Sequence, residues 1–384
     1  MLKLSPALSL YVHVPWCVQK CPYCDFNSHG LKQDLPEADY INALLADLDA
    51  DLARFPALQG RALHSIFIGG GTPSLLSAHA ISKLLQGIKQ RLALSPETEV
   101  TMEANPGTAE AERFAGYFQA GVNRLSIGVQ SFEASHLQKL GRIHSGDEAI
   151  RAFEFAQQAG FNRINLDLMH GLPNQTLEQA MADLQQAFAL GPSHLSWYQL
   201  TIEANTAFAS RPPKLPNEDL LWDIYEQGHQ QLQQAGFEQY EVSAYSKNGD
   251  HSQHNLNYWR FGDYLGIGCG AHGKISDLTQ QAIVRTEKVK HPKGYLEQER
   301  DFMFKHWAVE QADLAFEYFL NRLRLFEDIP KAEFVNLTGL ALSKLESSLK
   351  DAKQQGLLGE HEQHWAVTKK GRLFLNDLLN CFTD

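Results

Sequence analysis

Apolar residues in the first two hundred positions gather into six short runs, 8–15, 65–71, 99–104, 124–131, 164–171 and 194–201. Several are almost continuously apolar, which suits parallel strands covered on both faces. The stretches between them carry a helical period. Tyr40, Ile41, Leu44, Leu45, Leu48, Leu52 and Phe55 form one i, i+3, i+4 stripe, with Asp47, Asp49 and Asp51 expected on the opposite face. Further helices are expected over 75–93, 109–120, 146–160 and 176–190. Ala120-Gly121, Ala159-Gly160 and Leu190-Gly191 each supply a glycine that ends a helix before the next strand.

Six strand–helix repeats predict an α/β chain built on a partial (β/α)6 barrel, related to the TIM barrel of eight repeats. In such barrels chemistry gathers at the carboxyl ends of the strands. Here those ends are a cysteine loop, GGGTP at 69–73, Glu103-Ala-Asn-Pro, Gln130-Ser, Asp167 through Gly171-Leu-Pro, and Thr201. Each is polar, glycine-rich or charged, whereas the strand bodies are apolar. Packing alone does not produce that contrast.

The stretch RPPKLP at 211–216 marks a boundary. It divides a barrel over 1–215 from an accessory region over 216–305 and a C-terminal α+β domain over 306–384. That last part predicts a helix over 314–326, two shorter helices, a hairpin near 356–368 and a final helix, the order of a winged helix. Residues 310–384 hold nine Lys and Arg against twelve Asp and Glu, a balance of −3. This disfavours a DNA-binding regulator and favours a cap or a partner-docking unit.

Composition narrows the class further. Of 384 residues, 43% are hydrophobic and 21% charged, as in ordinary globular chains. The formal net charge of −11 argues against a sequence-independent grip on nucleic acid. Five cysteines at these spacings do not form a disulfide framework, which implies a reducing, cytoplasmic compartment. Lys3 and the apolar run ending at Cys17 imitate an export signal. His13 and Pro15 interrupt that run, however, and bulky Trp16 fills the small-residue position. No stretch reaches the ~18 apolar residues of a membrane span. Peripheral membrane contact stays open.

The chemistry concentrates in CVQKCPYC, where Cys17, Cys21 and Cys24 share one loop. Three thiolates can hold an iron–sulfur cube and leave its fourth iron without a protein ligand. Most such cubes have four cysteine ligands and transfer electrons. An open iron can instead bind a small molecule, as an open zinc position does. Zinc itself usually takes four ligands from CxxC pairs, and no second pair follows.

The CxxxCxxC spacing, with Tyr23 before the third cysteine, resembles the radical S-adenosylmethionine (SAM) superfamily. The resemblance implies a [4Fe-4S] cluster held by Cys17, Cys21 and Cys24. It also implies SAM chelating the open iron and cleaved by one electron to a deoxyadenosyl radical. GGGTP fits beside such a site, because glycine lets backbone carbonyls approach the methionine ammonium. YVHVPWC, GGGTP, RLSIGVQSF and INLDLMHGLPNQT narrow the resemblance across 8–275. They are similar to the subgroup of oxygen-independent coproporphyrinogen III oxidase and the HemW-type haem chaperones. That subgroup implies SAM contacts at Tyr11, Tyr23, Gly70, Gly71, Thr72, Glu103, Gln130, Arg142 and Asp167, with Thr201 and His272 at two further matching positions.

Two departures favour the chaperone side of the subgroup. The oxidase carries another cysteine two positions after the third, where this chain has Phe26, and it has a longer segment before the first strand. HNLNYW at 254–259 is similar to the HNxxYW haem motif. It implies haem contacts at His254, Asn255, Tyr258 and Trp259, with His254 as iron ligand and His251 as the alternative. On a helix Tyr258 falls at i+4 from His254, and Trp259 at i+4 from Asn255. The resemblance therefore implies a SAM-binding iron–sulfur haem chaperone that passes haem to acceptor proteins such as respiratory enzymes. A porphyrinogen-decarboxylating enzyme is the alternative.

Overall fold

In the computed structural model, which describes residues 1–32, 34–107, 112–297 and 301–383, all six apolar runs are strands. They are β1 (Leu8–Val14), β2 (Ala62–Gly70), β3 (Ala93–Ala104), β4 (Arg124–Gln130), β5 (Ile164–His170) and β6 (His194–Gln199). They pair in that order, all parallel. Between them run α1 (Glu37–Arg54), α2 (Ala78–Lys89), α3 (Phe114–Ala120), α4 (Ala134–Lys139), α5 (Gly146–Gln158) and α6 (Leu177–Leu190). The start of the helix expected from 109 lies outside the described residues. Reciprocal capping boxes, Ser145 with Glu148 and Thr176 with Gln179, set where α5 and α6 begin. Left-handed Gly121 and Gly191 end α3 and α6 as the sequence implied.

The sheet is larger than six strands. After α7 (Glu218–Gln234) come β7 (Glu238–Glu241), β8 (Ala244–Ser246), α8 (Gln253–Trp259), β9 (Asp263–Ile267), β10 (His272–Asp277), β11 (Ala282–Lys288) and β12 (Met303–Ala308). Among the described residues the sheet has twelve strands in the order β12-β11-β10-β9-β1-β2-β3-β4-β5-β6-β8-β7. β9 is a seventh parallel strand, paired with β1. The outer strands on both flanks are antiparallel.

One expectation about α1 is corrected. Asp49 is exposed and pairs with Arg91, but Asp47 and Asp51 are 0% and 1% exposed. Both accept from Lys288 of β11, at 2.5 and 2.6 Å. A buried ammonium on a distant strand turns these two aspartates inward.

The C-terminal region packs around Tyr318, Phe319, Phe334, Trp365 and Phe382, a core that also takes in Leu2, Phe261 and Ile283. It comprises α9 (Leu314–Arg322), β13 (Ile329–Pro330), α10 (Lys331–Thr338), α11 (Glu346–Gln354) and the antiparallel pair β14 (Leu358–Glu360) and β15 (His364–Val367). Helices over 369–373 and 375–380 complete it. α9 stops four residues short of the expected 326. Leu325 bridges to Glu241, and the Phe326 N–H donates to the Tyr240 carbonyl, so this segment is drawn onto the sheet. Among the described residues no helix is long and apolar enough to cross a membrane.

Candidate functional site

The cysteine loop leaves β1 and lies at the carboxyl ends of the parallel strands. Cys17, Cys21 and Cys24 are free thiols, each partly exposed. Burial pushes the Cys17 and Cys24 thiols above their ordinary range. Arg142 donates to the Cys21 sulfur at 3.6 Å, to Asn105 Oδ1 at 2.8 Å and to the Gly128 carbonyl at 2.8 Å. Asn105 in turn donates to Thr72 Oγ1 at 3.1 Å, and Thr72 stands beside Cys17, where it partly offsets the effect of burial on that thiol. A guanidinium, an amide and a hydroxyl thus tie two of the three thiols to the ends of β2, β3 and β4. Tyr23 packs on Phe208, and Tyr198 donates to Gln130 Oε1 at 2.9 Å. Among the described residues no three His, Cys, Asp or Glu side chains are already gathered as metal ligands, but three thiols on one loop with a buried cation beside Cys21 would suit an anionic iron–sulfur cluster once the loop closes on it. Asn105 was not singled out from sequence, although its place in the EANPG strand end was the available signal.

The glycines closing β2 are required by the protein itself. Gly70 has φ +114°, and a Cβ there would lie 2.5 Å from the His13 ring. A Cβ on Gly71 would lie 2.5 Å from the Trp16 carbonyl oxygen. Close approach of the two strand ends therefore demands glycine without reference to any ligand. The Gly70 N–H donates to Glu103 Oε2 at 2.9 Å.

Below the loop, the inward faces of the strands are polar. Thr101 and Glu103, Arg124 and Ser126, Asn165 and Asp167, and His194 and Ser196 alternate at i, i+2, the period of one strand face. Register sets them side by side, Glu103 beside Ser126, Ser126 beside Asn165, Asn165 beside His194. With Tyr11, Phe67 and α8 they enclose a chamber of about 260 Å³. Asp167 accepts from Ser126 and Asn165 at 2.9 and 2.8 Å, and His194 Nδ1 lies 2.6 Å from Asn165 Oδ1. Barrels of this kind usually fill with branched apolar side chains, so a polar interior is built for something other than packing.

Glu103 is the most perturbed acid of the chamber. Burial, opposed by the Gly70 N–H, raises its pKa from 4.5 to about 8. Between those values the folded chain holds a proton that the unfolded chain releases, so this group makes stability fall as pH rises from about 4.5 to about 8. Glu103→Gln is expected to flatten that fall. Urea unfolding at pH 5 and pH 8 checks it, the variant losing less stability than the unaltered chain over that interval. An unchanged difference would mean that Glu103 is ionised throughout.

Helix α8 closes the amino-terminal end of the strands. Ser252 caps it, and Asn257 donates to Ser9 Oγ at 2.9 Å and to the Asp263 carbonyl at 2.8 Å. The His254 N–H donates to Glu99 at 3.0 Å. His254 is buried, its Nδ1 3.1 Å from Ser65 Oγ and its ring 5.0 Å from Phe67 and 6.4 Å from Tyr11. Burial lowers its pKa to about 3, so the imidazole is neutral.

The sequence-derived residues therefore divide into groups. Tyr11, Glu103 and Asp167 share the chamber with His254, Asn255 and Tyr258. Trp259 faces away, packing with Tyr258 and under Arg324. His251 stacks on Tyr240, outside the chamber lining. Gly70, Gly71, Thr72, Gln130, Arg142 and Tyr23 lie toward the cysteine-loop end of the strands. Thr201 is exposed and donates to Glu203 at 2.8 Å. His272, also exposed, begins β10.

Comparison with known proteins identifies the family and the fold. The radical SAM superfamily model matches residues 11–187, and the HemN C-terminal domain model matches 309–374. The haem chaperone HemW of Haemophilus influenzae is 58% identical, covering 100% of this chain and 99% of the relative. This chain belongs to the HemW family. The HemW of Escherichia coli is 57% identical over the same shares. Outside the HemW family proper, the solved structure of the E. coli coproporphyrinogen III oxidase HemN, a radical SAM enzyme, superimposes with a TM-score of 0.83 at 25% identity. That match covers 98% of this chain and 90% of HemN.

Proposed function

We propose that this protein is a haem carrier: it binds haem in the region of α8, holds a [4Fe-4S] cluster and SAM at the opposite end of the same strands, and passes haem to haem-requiring proteins, among them respiratory enzymes. The observation that carries this reading is the shared chamber, where His254 and Tyr258 face Tyr11, Glu103 and Asp167. The HemW names of full-length relatives support it. So does Phe26, which stands where the oxidase pattern has its additional cysteine.

Cys17, Cys21 and Cys24 would hold three irons, and Arg142 beside Cys21 would offset the negative charge of the cluster. When bound, the cluster and SAM supply one-electron chemistry at the open iron. Glu103, with its proton, would meet the SAM ammonium as a carboxylate after releasing that proton. His254 offers a neutral imidazole, the form that ligates iron. Its Nδ1 lies 3.1 Å from Ser65 Oγ, which would leave Nε2 as the nitrogen available to iron. The chamber, at about 260 Å³, is smaller than the ~300–1,000 Å³ of common ligand sites, so haem binding at His254 would require it to widen.

The test is anaerobic, with reconstituted protein, SAM and reductant. Haem titration of the unaltered chain is expected to give saturable binding, and His254→Ala at least about tenfold weaker binding, the ~1.4 kcal/mol of one lost ligand contact or more. Coproporphyrinogen offered in parallel is expected to remain unconverted. Turnover to protoporphyrinogen would reject the carrier reading, and unchanged binding by His254→Ala would reject this ligand.

A further inference from the structure

The floor of the chamber holds two polar groups that the arrangement above does not use. Arg124, the first residue of β4, is 1% exposed, and its Nη2 has no hydrogen-bond partner. Thr101 is its register neighbour on β3, equally buried, and its hydroxyl is also unpartnered. Both line the chamber. Leaving a buried donor unpaired costs about 1–3 kcal/mol, more for a charged group. Two such donors, on adjacent residues that line one cavity, therefore point to a ligand that accepts from both.

We propose that Arg124 and Thr101 form a carboxylate-binding subsite at the base of the chamber. Arg124 Nη1 already contacts Asp250, at 3.2 Å to Oδ1 and 3.4 Å to the carbonyl. That contact holds Nη1, while Nη2 of the same chamber-lining side chain is left without a partner. Asp250 is shared, since Arg163 also donates to it at 2.5 Å, so it does not belong to Arg124 alone. Among the chamber-lining residues Arg124 is the one cation. The acids of the chamber lining are Glu103, which is protonated near neutral pH in the free chain, and Asp167, which already accepts from Ser126 and Asn165; Glu99, two residues before Thr101 on β3, is paired with Arg163. His194 and His254 are neutral through burial. A guanidinium edge beside a hydroxyl is the donor pair that suits a carboxylate.

Distance separates this subsite from the cluster. Arg124 and Gln130 stand at opposite ends of β4, six residues or about 20 Å apart at ~3.3 Å per residue. A carboxylate chelated to an iron of the cluster cannot also reach Arg124. The ligand is either a free small carboxylate or a propionate side chain of a tetrapyrrole. The subsite stands on the chamber alone, and only the second source rests on the carrier reading above.

The probes are sodium propionate, haem and haem dimethyl ester, titrated into the full chain with reconstituted cluster and followed by calorimetry and melting temperature. Propionate is expected to bind saturably and raise the melting temperature, and Thr101→Val and Arg124→Lys are each expected to weaken it at least fivefold. If propionate competes with haem, and the ester binds at least tenfold more weakly than haem, the source is the tetrapyrrole side chain. Equal binding of haem and ester, with propionate still lost in the variants, assigns a free carboxylate. Propionate that fails to bind, together with haem binding indifferent to both variants and to esterification, overturns the subsite. Thr101→Val keeps the test decisive if Arg124→Lys fails to fold. Without a ligand, removing an unpaired hydroxyl is neutral or stabilising and leaves every affinity unchanged. Haem failing to bind the unaltered chain would overturn the carrier reading, while the propionate titration still decides the subsite.

Discussion

Cys17→Ala, Cys21→Ala and Cys24→Ala are each expected to abolish the iron–sulfur cluster, taking iron and acid-labile sulfide from about four of each per chain to less than about one. The three thiols occupy one loop, and the other two cysteines are engaged elsewhere. Cys381 belongs to the C-terminal region, and Cys269 is buried with its S–H donating to the Lys290 carbonyl at 3.0 Å. Cys269→Ala and Cys381→Ala are therefore expected to keep the full complement. The check is iron and sulfide analysis after anaerobic reconstitution, with the visible absorbance of the cluster as a second reading. A cluster that survives Cys21→Ala but not Cys269→Ala would show that the ligand set is wrong.

The second large effect is on stability. Lys288→Met would leave Asp47 and Asp51 buried without their cation, and breaking a buried pair in this way costs about 3–5 kcal/mol. Burial already raises both carboxyls, Asp51 to about 6, against the pull of Lys288. Asp47 also accepts from the Gly268 N–H at 3.0 Å and from Tyr295 at 2.6 Å. From there the contacts continue toward the cysteine loop. The Cys269 N–H donates to Tyr40, Tyr40 donates to the His13 carbonyl, and Asn27 donates to the Cys269 carbonyl. Lys288→Met should therefore also lower cluster retention. Denaturant unfolding should show most of the loss recovered when Asp47→Asn and Asp51→Asn are added, because replacing the whole triad removes the unpaired charge. A Lys288→Met chain within about 1 kcal/mol of the unaltered one would mean that the aspartates fold protonated and need no partner.

The strands were legible because a parallel strand covered on both faces is an apolar run, and runs are visible without knowing their neighbours. The cysteine loop stood out because three cysteines in eight residues have few uses besides holding metal. β9 was not, because it is short, holds a glycine, and pairs with β1 some 250 positions earlier. The inward turn of Asp47 and Asp51 was hidden for the same reason, since Lys288 lies far along the chain. The polar chamber was masked by the opposite strand face: Arg124-Leu-Ser126 and Asn165-Leu-Asp167 look apolar or mixed until the alternation is read as two faces. That alternation was the signal for Thr101, Arg124, Ser126, Asn165, His194 and Ser196. The placement of α8 beneath the chamber depends on side-chain contacts with Ser9, Ser65 and Glu99, which sequence spacing does not reveal.

The most direct measurement is the electron paramagnetic resonance spectrum of the reduced, reconstituted protein, recorded while SAM is added. A cube with one iron free of protein ligand should change its spectrum as SAM binds, saturating at one equivalent per chain, and should leave a Cys21→Ala chain without signal. A spectrum that stays the same throughout the titration, or a chain that cannot be loaded with iron and sulfide at all, would contradict it.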